Sequence, residues 1–222
     1  MSSYLWERYP AKIRAAIDIG GHVGWWTRLL KMGHPGASVA VIEPDVESFA
    51  LLRRNTTHDP SIMLYNAACG YLEGPMSIVR DPGNSGATHL VRSDEAAARA
   101  AGGEWLVQDN VSLMSLETAM DALTEGLIDV VKCDCEGSEY DIFGNVPLAY
   151  LRRIRCIVGE HHGRVERFRA EIGARFEAAG FTLSYVAHPN PEVRELGMFF
   201  AEYRAPRSAQ LRALWRRLWP TR

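Results

Sequence analysis

The chain has 222 residues, 47% of them hydrophobic, which is enough to bury a full core in one domain and excludes both a small stapled scaffold and a disordered chain. Lys and Arg number 25 against 27 Asp and Glu, a formal charge of −2, so the overall basicity that draws a protein to nucleic acid is missing. The opening MSSYLWERYP carries charge and Pro where a secretory leader needs an apolar run, and no stretch approaches the roughly 18 apolar residues of a membrane span.

The expectation is therefore a soluble, cytoplasmic protein. Its four cysteines, Cys69, Cys133, Cys135 and Cys156, form no CxxC pair and read as thiols. Apolar runs of strand length fall at Ala15 to Ile19, Ser38 to Ile42, Ile62 to Asn66, Ile128 to Cys133, Cys156 to Gly159, Thr182 to Val186 and Met198 to Glu202. Helical segments lie between them: Trp25 to Met32, closed by Gly33 and Pro35; Asp45 to Asn55, with Asp45 as N-cap; and Arg164 to Ala179, ending on Gly180. This alternation predicts an α/β fold, a doubly wound, mostly parallel seven-stranded sheet within a single domain over 1–222. The stretch 81–109 breaks the alternation with Pro, Gly, Asn and Ser and then an Ala-rich helical piece, and reads as an inserted lid or binding loop.

At the far end, 208–219 reads as a basic amphipathic helix. Arg204, Arg207, Arg212, Arg216, Arg217 and Arg222 accompany an apolar face of Leu211, Leu214, Trp215, Leu218 and Trp219. Burial of that face on the parent domain or in a homodimer is favoured over contact with an anionic membrane surface.

The first strand ends in Asp18, Gly20 and Gly24, a D-x-G-x-x-x-G pattern. Such glycines let the backbone turn sharply beside a ligand, and the next helix offers free N–H groups. Glu43, twenty-five residues after Asp18, ends the second strand where an acid commonly holds two ribose hydroxyls. Asn66 and Ala67 end the third, where a polar side chain and backbone can read an adenine edge. A carboxylate at Asp18 would repel pyrophosphate but suits a cationic ligand end, which favours S-adenosylmethionine over a dinucleotide.

Here the sequence resembles the FkbM-like methyltransferases, a class I S-adenosylmethionine-dependent family that mostly methylates hydroxyls of sugars and natural products. The resemblance runs through Ala16-Ile-Asp-Ile-Gly-Gly-His-Val-Gly-Trp-Trp-Thr27, Val41-Ile-Glu-Pro44, Asn66-Ala-Ala68, Val111-Ser-Leu-Met-Ser-Leu-Glu117 and Val130-Val-Lys-Cys-Asp-Cys-Glu-Gly-Ser-Glu139. His22 stands where the family usually has Asn, and Glu117 where it usually has Asp. The resemblance implies that Asp18, Gly20, His22, Gly24, Thr27, Glu43, Asn66 and Ala67 surround S-adenosylmethionine.

The fourth strand closes on Asp134 and the fifth on Glu160-His-His-Gly163, which should meet at the carboxyl edge beside the donor methyl. Methylating an alcohol requires its proton to be taken by a base or its oxygen to be polarised by a cation. The reading makes His162 the base beside Asp134, and Asp134, Glu160 and His161 the ligands of a divalent ion, Mg²⁺ ahead of Mn²⁺. A structural alternative has Asp134 and Glu136 capping the next helix and Glu160 paired to an arginine. Trp25 or Trp26 could floor a sugar ring, and Asn84, Ser85, Gly86 and His89 could touch an acceptor.

The function expected is an O-methyltransferase acting on a carbohydrate hydroxyl, with enzymes that methylate mannose-containing polysaccharides as a faint further resemblance. A small-molecule natural product as acceptor, or a non-catalytic binding domain, is the alternative. The missing GxGxxG argues against an oxidoreductase, and the near-neutral charge and absence of an NPPY-type run against a nucleic-acid substrate.

Overall fold

The apolar runs assemble into one sheet, seen in a computed structural model whose described residues are 6–81, 83–101, 105–188 and 196–204. In chain order the first half holds β1 (Ala15–Ile19), α1 (Trp25–Gly33), β2 (Ser38–Ile42), α2 (Val46–Thr56), β3 (Ile62–Tyr65), β4 (Ala68–Cys69), β5 (Met76–Asp81), β6 (Asn84–Arg92), α3 (Ser93–Ala101) and β7 (Leu106–Gln108). The second half holds β8 (Leu113–Met114), α4 (Leu116–Leu123), β9 (Ile128–Cys133), α5 (Glu139–Asn145), α6 (Leu148–Leu151), β10 (Ile154–His162), α7 (Val165–Phe168), α8 (Ala174–Ala179), β11 (Phe181–Ala187) and β12 (Leu196–Tyr203). A π-helical turn at Arg169–Gly173 joins α7 to α8, so the helix expected from Arg164 to Ala179 is one rod with a widened middle.

The main sheet has the order β11-β12-β10-β9-β1-β2-β3. Pairing is parallel from β10 to β3, and antiparallel where β12 meets β10 and β11. A strand buried on both faces needs no alternation, and β1 and β9 are buried at every position, with Asp18, Asp129 and Lys132 the polar residues among them. The connection reverses direction at β1, which has β2 on one side and β9 on the other. That is the switch point where α/β sheets open a crevice.

Two apolar layers flank the sheet. One holds Trp26, Leu30, Val39, Leu52 and Phe200. The other holds Phe143, Phe168, Phe176 and Phe199. Phe199 is fully buried, 4.7 Å from Phe168 and 6.1 Å from Phe176 by ring centroids. Phe199→Ala should lower stability by about 3–5 kcal/mol in denaturant melts, because the surrounding rings cannot collapse into the void.

The segment over 81–109, expected as an inserted lid or binding loop, folds as β6, α3 and β7, and joins β5 in a small antiparallel sheet, β6-β5-β7, with α3 against it. Asn84, Ser85 and Gly86 in β6 read as turn residues in sequence, but the strand runs through them, pairing with β5 from Met76↔Arg92 to Arg80↔Thr88 and, after a register shift, at Asp81↔Asn84. The polar contacts expected from Asn84, Ser85 and Gly86, and the helix expected at 208–219, lie outside the described side chains and residues. Among the described residues no helix is long and apolar enough to cross a membrane.

Candidate active site

Strand register builds the site. Ile19 pairs with Ile42 on one side and Cys133 on the other, and Cys133 pairs with Gly159. The next residues, Gly20, Glu43, Asp134 and Glu160, therefore leave the carboxyl edge side by side. Gly20 has φ +75°, and a Cβ there would lie 1.8 Å from the Asp134 carbonyl oxygen, so only glycine fits between the two strand ends. Together with Gly21, His22, Trp25, Glu43 and Pro44, these residues line a cavity of about 300 Å³ whose far wall is Ile78, Thr88 and Leu90 of the small sheet.

Of the residues expected around S-adenosylmethionine, Gly20, His22 and Glu43 line this cavity; Asp18, Gly24, Thr27, Asn66 and Ala67 do not. Asp18 is fully buried, accepting from the Thr27 hydroxyl at 2.6 Å and facing Lys132 Nζ at 3.1 Å, so it braces the turn from outside the cavity lining. Gly24 starts α1 with its α-carbon against Leu52 of α2. Asn66 Nδ2 donates to the carbonyls of Glu43 and Pro44 at 2.9 and 3.1 Å, tying β3 to β2. Ala67 is buried in the core, and its neighbours Ala68 and Cys69 reach the cavity instead.

Glu43 accepts the backbone N–H of His22 at 2.7 Å and of Asp45 at 2.8 Å. Burial pushes its carboxyl up to about 7 against the pull of those two donors. Asp45 meanwhile caps α2 as expected, accepting from Ser48 N at 2.8 Å. On the expectation that the donor's ribose meets Glu43, Glu43→Ala deletes a hydrogen-bonding partner worth about 1.5–3 kcal/mol once ionised, so calorimetry above pH 7 should show S-adenosylmethionine binding weakened roughly tenfold to a hundredfold.

At the other end of the cavity Asp134, Glu160 and His162 bring one ligating atom each within 4.8 Å of one another. β10 runs on to His162, so Glu160 and His162 share a face. His161 points the opposite way. It is 3% exposed, packed against Phe168 at 5.5 Å, with Nδ1 3.1 Å from the Gly163 carbonyl. The expected metal ligand is thus a core residue, and His162 takes its place in the cluster.

His162 also differs from the base expected of it. Its Nε2 is 3.2 Å from Glu136 and its Nδ1 3.3 Å from Glu139. Burial opposes the charge, but the two carboxylates outweigh it and push the imidazole up to about 11, so near neutrality it already holds its proton. Glu160 is the poised group: burial first and Asp134 second push its carboxyl up to about 7. The helix-capping alternative is not what forms, since Ser138 is the N-cap of α5, with no side-chain cap bond, and Glu136 reaches His162 instead.

Lys132 and Glu139 lie in the Val130–Glu139 motif with no role legible in the sequence, and Glu136 is expected there only as a helix cap. Glu139 is fully buried beneath the site, accepting from His162 N at 2.6 Å and Gly137 N at 2.9 Å. Its signal was a second acid three residues after Glu136, at a spacing that returns both to one side of a turn. Glu117 accepts from the Tyr71 hydroxyl and supports the loop behind the site. Trp26 is buried as core, whereas Trp25 stands 63% exposed at the cavity mouth. A second, open groove of about 490 Å³, lined by Leu72, His89, Val91 and Asp141, meets the cavity at Leu90, Glu136 and Ser138.

Compared with protein families, residues 18–203 match the Methyltransferase FkbM domain. No curated protein matches the chain. Among solved structures, an rRNA methylase from Streptococcus thermophilus superposes with a TM-score of 0.53 at 8% identity, over 90% of this chain and 92% of that one. A precorrin-6y C5,15-methyltransferase from Geobacter metallireducens gives 0.48 at 12% identity over 88% and 82%. Fibrillarin from Aeropyrum pernix, solved with natively bound S-adenosyl-L-methionine, gives 0.46 at 10% identity over 86% and 66%. Identities this low speak to the fold alone.

Proposed function

The chain belongs to the FkbM methyltransferase family, whose methyl donor is S-adenosylmethionine, and from that premise we propose that it methylates a hydroxyl group of a carbohydrate. The observation that carries this reading is the Asp134, Glu160 and His162 cluster, whose two carboxylates line the same cavity as the glycine turn. Glu43 would hold the donor's ribose, and the backbone of the Gly20 turn would hold its methionine end. The acceptor oxygen then approaches from the Asp134 and Glu160 side, in line with the carbon–sulfur bond.

As the methyl–oxygen bond forms, the carbon–sulfur bond breaks and S-adenosylhomocysteine leaves. The hydroxyl proton passes to Glu160, whose raised affinity for it near neutral pH suits a base. The imidazolium of His162 offsets part of the negative charge of Asp134, Glu136 and Glu160 and keeps Glu136 in place. Trp25 at the mouth offers an apolar face to a pyranose ring, and the open groove past His89 gives a longer acceptor somewhere to lie.

Two carboxylate oxygens and an imidazole nitrogen at these separations fit Mg²⁺ or Mn²⁺. Such an ion, when bound by Asp134, Glu160 and His162, would lower the pKa of the acceptor hydroxyl. Ligation requires His162 to give up its proton, so affinity for the ion should rise with pH. Labelled S-adenosylmethionine incubated with a panel of mono- and oligosaccharides, with and without chelator, tests both parts. Methylated sugar is expected, with turnover lost in excess chelator while S-adenosylhomocysteine still binds. Turnover that survives the chelator leaves Glu160 as base without an ion, and a panel with no methylated sugar removes the carbohydrate reading.

A further inference from the structure

We propose that Lys132 is a positioning residue that ties the donor half of the site to the acceptor half. It sits on the central strand β9, opposite Asp18 of β1 and Val158 of β10, and is 3% exposed. Its Nζ donates to the Gly20 carbonyl at 2.6 Å and the Ile19 carbonyl at 3.2 Å, faces Asp18 Oδ1 at 3.1 Å, and stands 4.0 Å from Asp134 Oδ2. One ammonium thus touches Ile19 at the end of β1 and Gly20 just past it, where the donor meets the backbone, and approaches the carboxylate at the head of the acidic cluster.

Stability alone does not call for this arrangement. Burying a lysine and an aspartate together is often no better for folding than apolar side chains of the same volume. What the ion pair supplies is a fixed point. Gly20 sits at φ +75° and has no side chain to hold it, while the Asp134 carboxylate is partly exposed at 4.0 Å from the same ammonium. An ammonium anchored by Asp18, itself held by Thr27, defines where both can rest. Lys132 also lines the cavity, so its charge lies against the bound donor as well.

The inference rests on the placement of the donor at the glycine turn. Lys132→Met alone would strand the buried Asp18 carboxylate and could unfold the chain. The informative comparison is therefore the Asp18→Asn, Lys132→Met double variant, which keeps the interior neutral, against Asp18→Asn alone. S-adenosylhomocysteine is the probe, with affinity by calorimetry and thermal midpoint measured on the same samples. The expected result is a folded double variant that binds the probe at least tenfold more weakly than Asp18→Asn, with a thermal midpoint within a few degrees of it.

Equal affinity in the two variants overturns the proposal. So does a double variant that fails to fold while Asp18→Asn folds, since Lys132 is then structural. Glu43→Ala run alongside separates the premise from the inference. If it too binds normally, the donor placement is wrong. If it binds weakly while the double variant matches Asp18→Asn, only the role of Lys132 is lost.

Discussion

Glu160→Gln should lower turnover by roughly a hundredfold or more while leaving S-adenosylhomocysteine affinity within about twofold, because the amide keeps the shape of the side chain but cannot take a proton. The wild-type rate should climb as pH rises through about 7, where the Glu160 carboxyl loses its proton, and that limb should vanish in the variant. The sign for stability is the opposite. A carboxyl whose folded pKa lies above its unfolded value favours the fold below about 4.5, and this contribution is lost as pH rises through about 7. Glu160→Gln should therefore melt above the wild type at pH 8 and converge with it near pH 4. A variant with normal turnover across pH would move the proton to Asp134 or Glu136.

Gly20→Ala should be the most damaging single-methyl change in the protein. The added carbon would fall 1.8 Å from the Asp134 carbonyl oxygen, a backbone atom that no rotamer change can move, at a φ of +75° that L-residues resist. The strand ends must part, at about 3 kcal/mol or more of stability, and the Lys132 bond to the Gly20 carbonyl is disturbed with them. S-adenosylmethionine binding should fall below detection in calorimetry even where the variant folds. Gly33→Ala, at a position where a Cβ meets nothing within 4 Å, serves as the control and should behave as wild type. Equal melting and binding of the two variants would mean that the glycine turn is not the donor cradle.

The seven main strands and the N-cap of α2 were legible because their signals are local. An apolar run of strand length between helical stretches marks a buried parallel strand, and an acid before a helix marks its start. The antiparallel sheet over the cavity was not legible, since β5, β6 and β7 are short and hold turn residues that only pairing overrules. Likewise the residues at strand ends could be named as a group, but their jobs could not be assigned. Asp18 and Glu43 are both acids ending adjacent parallel strands, yet Asp18 points into the core toward Lys132, and Glu43 lies on the cavity wall.

The two histidines make the same point most sharply. Adjacent residues on a strand face opposite sides, so the sequence alone determined that either His161 or His162 would join Glu160, and the pleat favoured His162. It also determined the glycine turn, the acid twenty-five residues on and the strand-end carboxylates, because each is a residue type required at a fixed distance along the chain. Which state His162 holds was decided only in three dimensions. Glu136 and Glu139 come from a different crossover, and their carboxylates, closing on the ring from either side, make a cation of what had read as a base. Protonation is set by the sum of nearby charges and solvent, and those are assembled by the fold across distances that sequence spacing does not record.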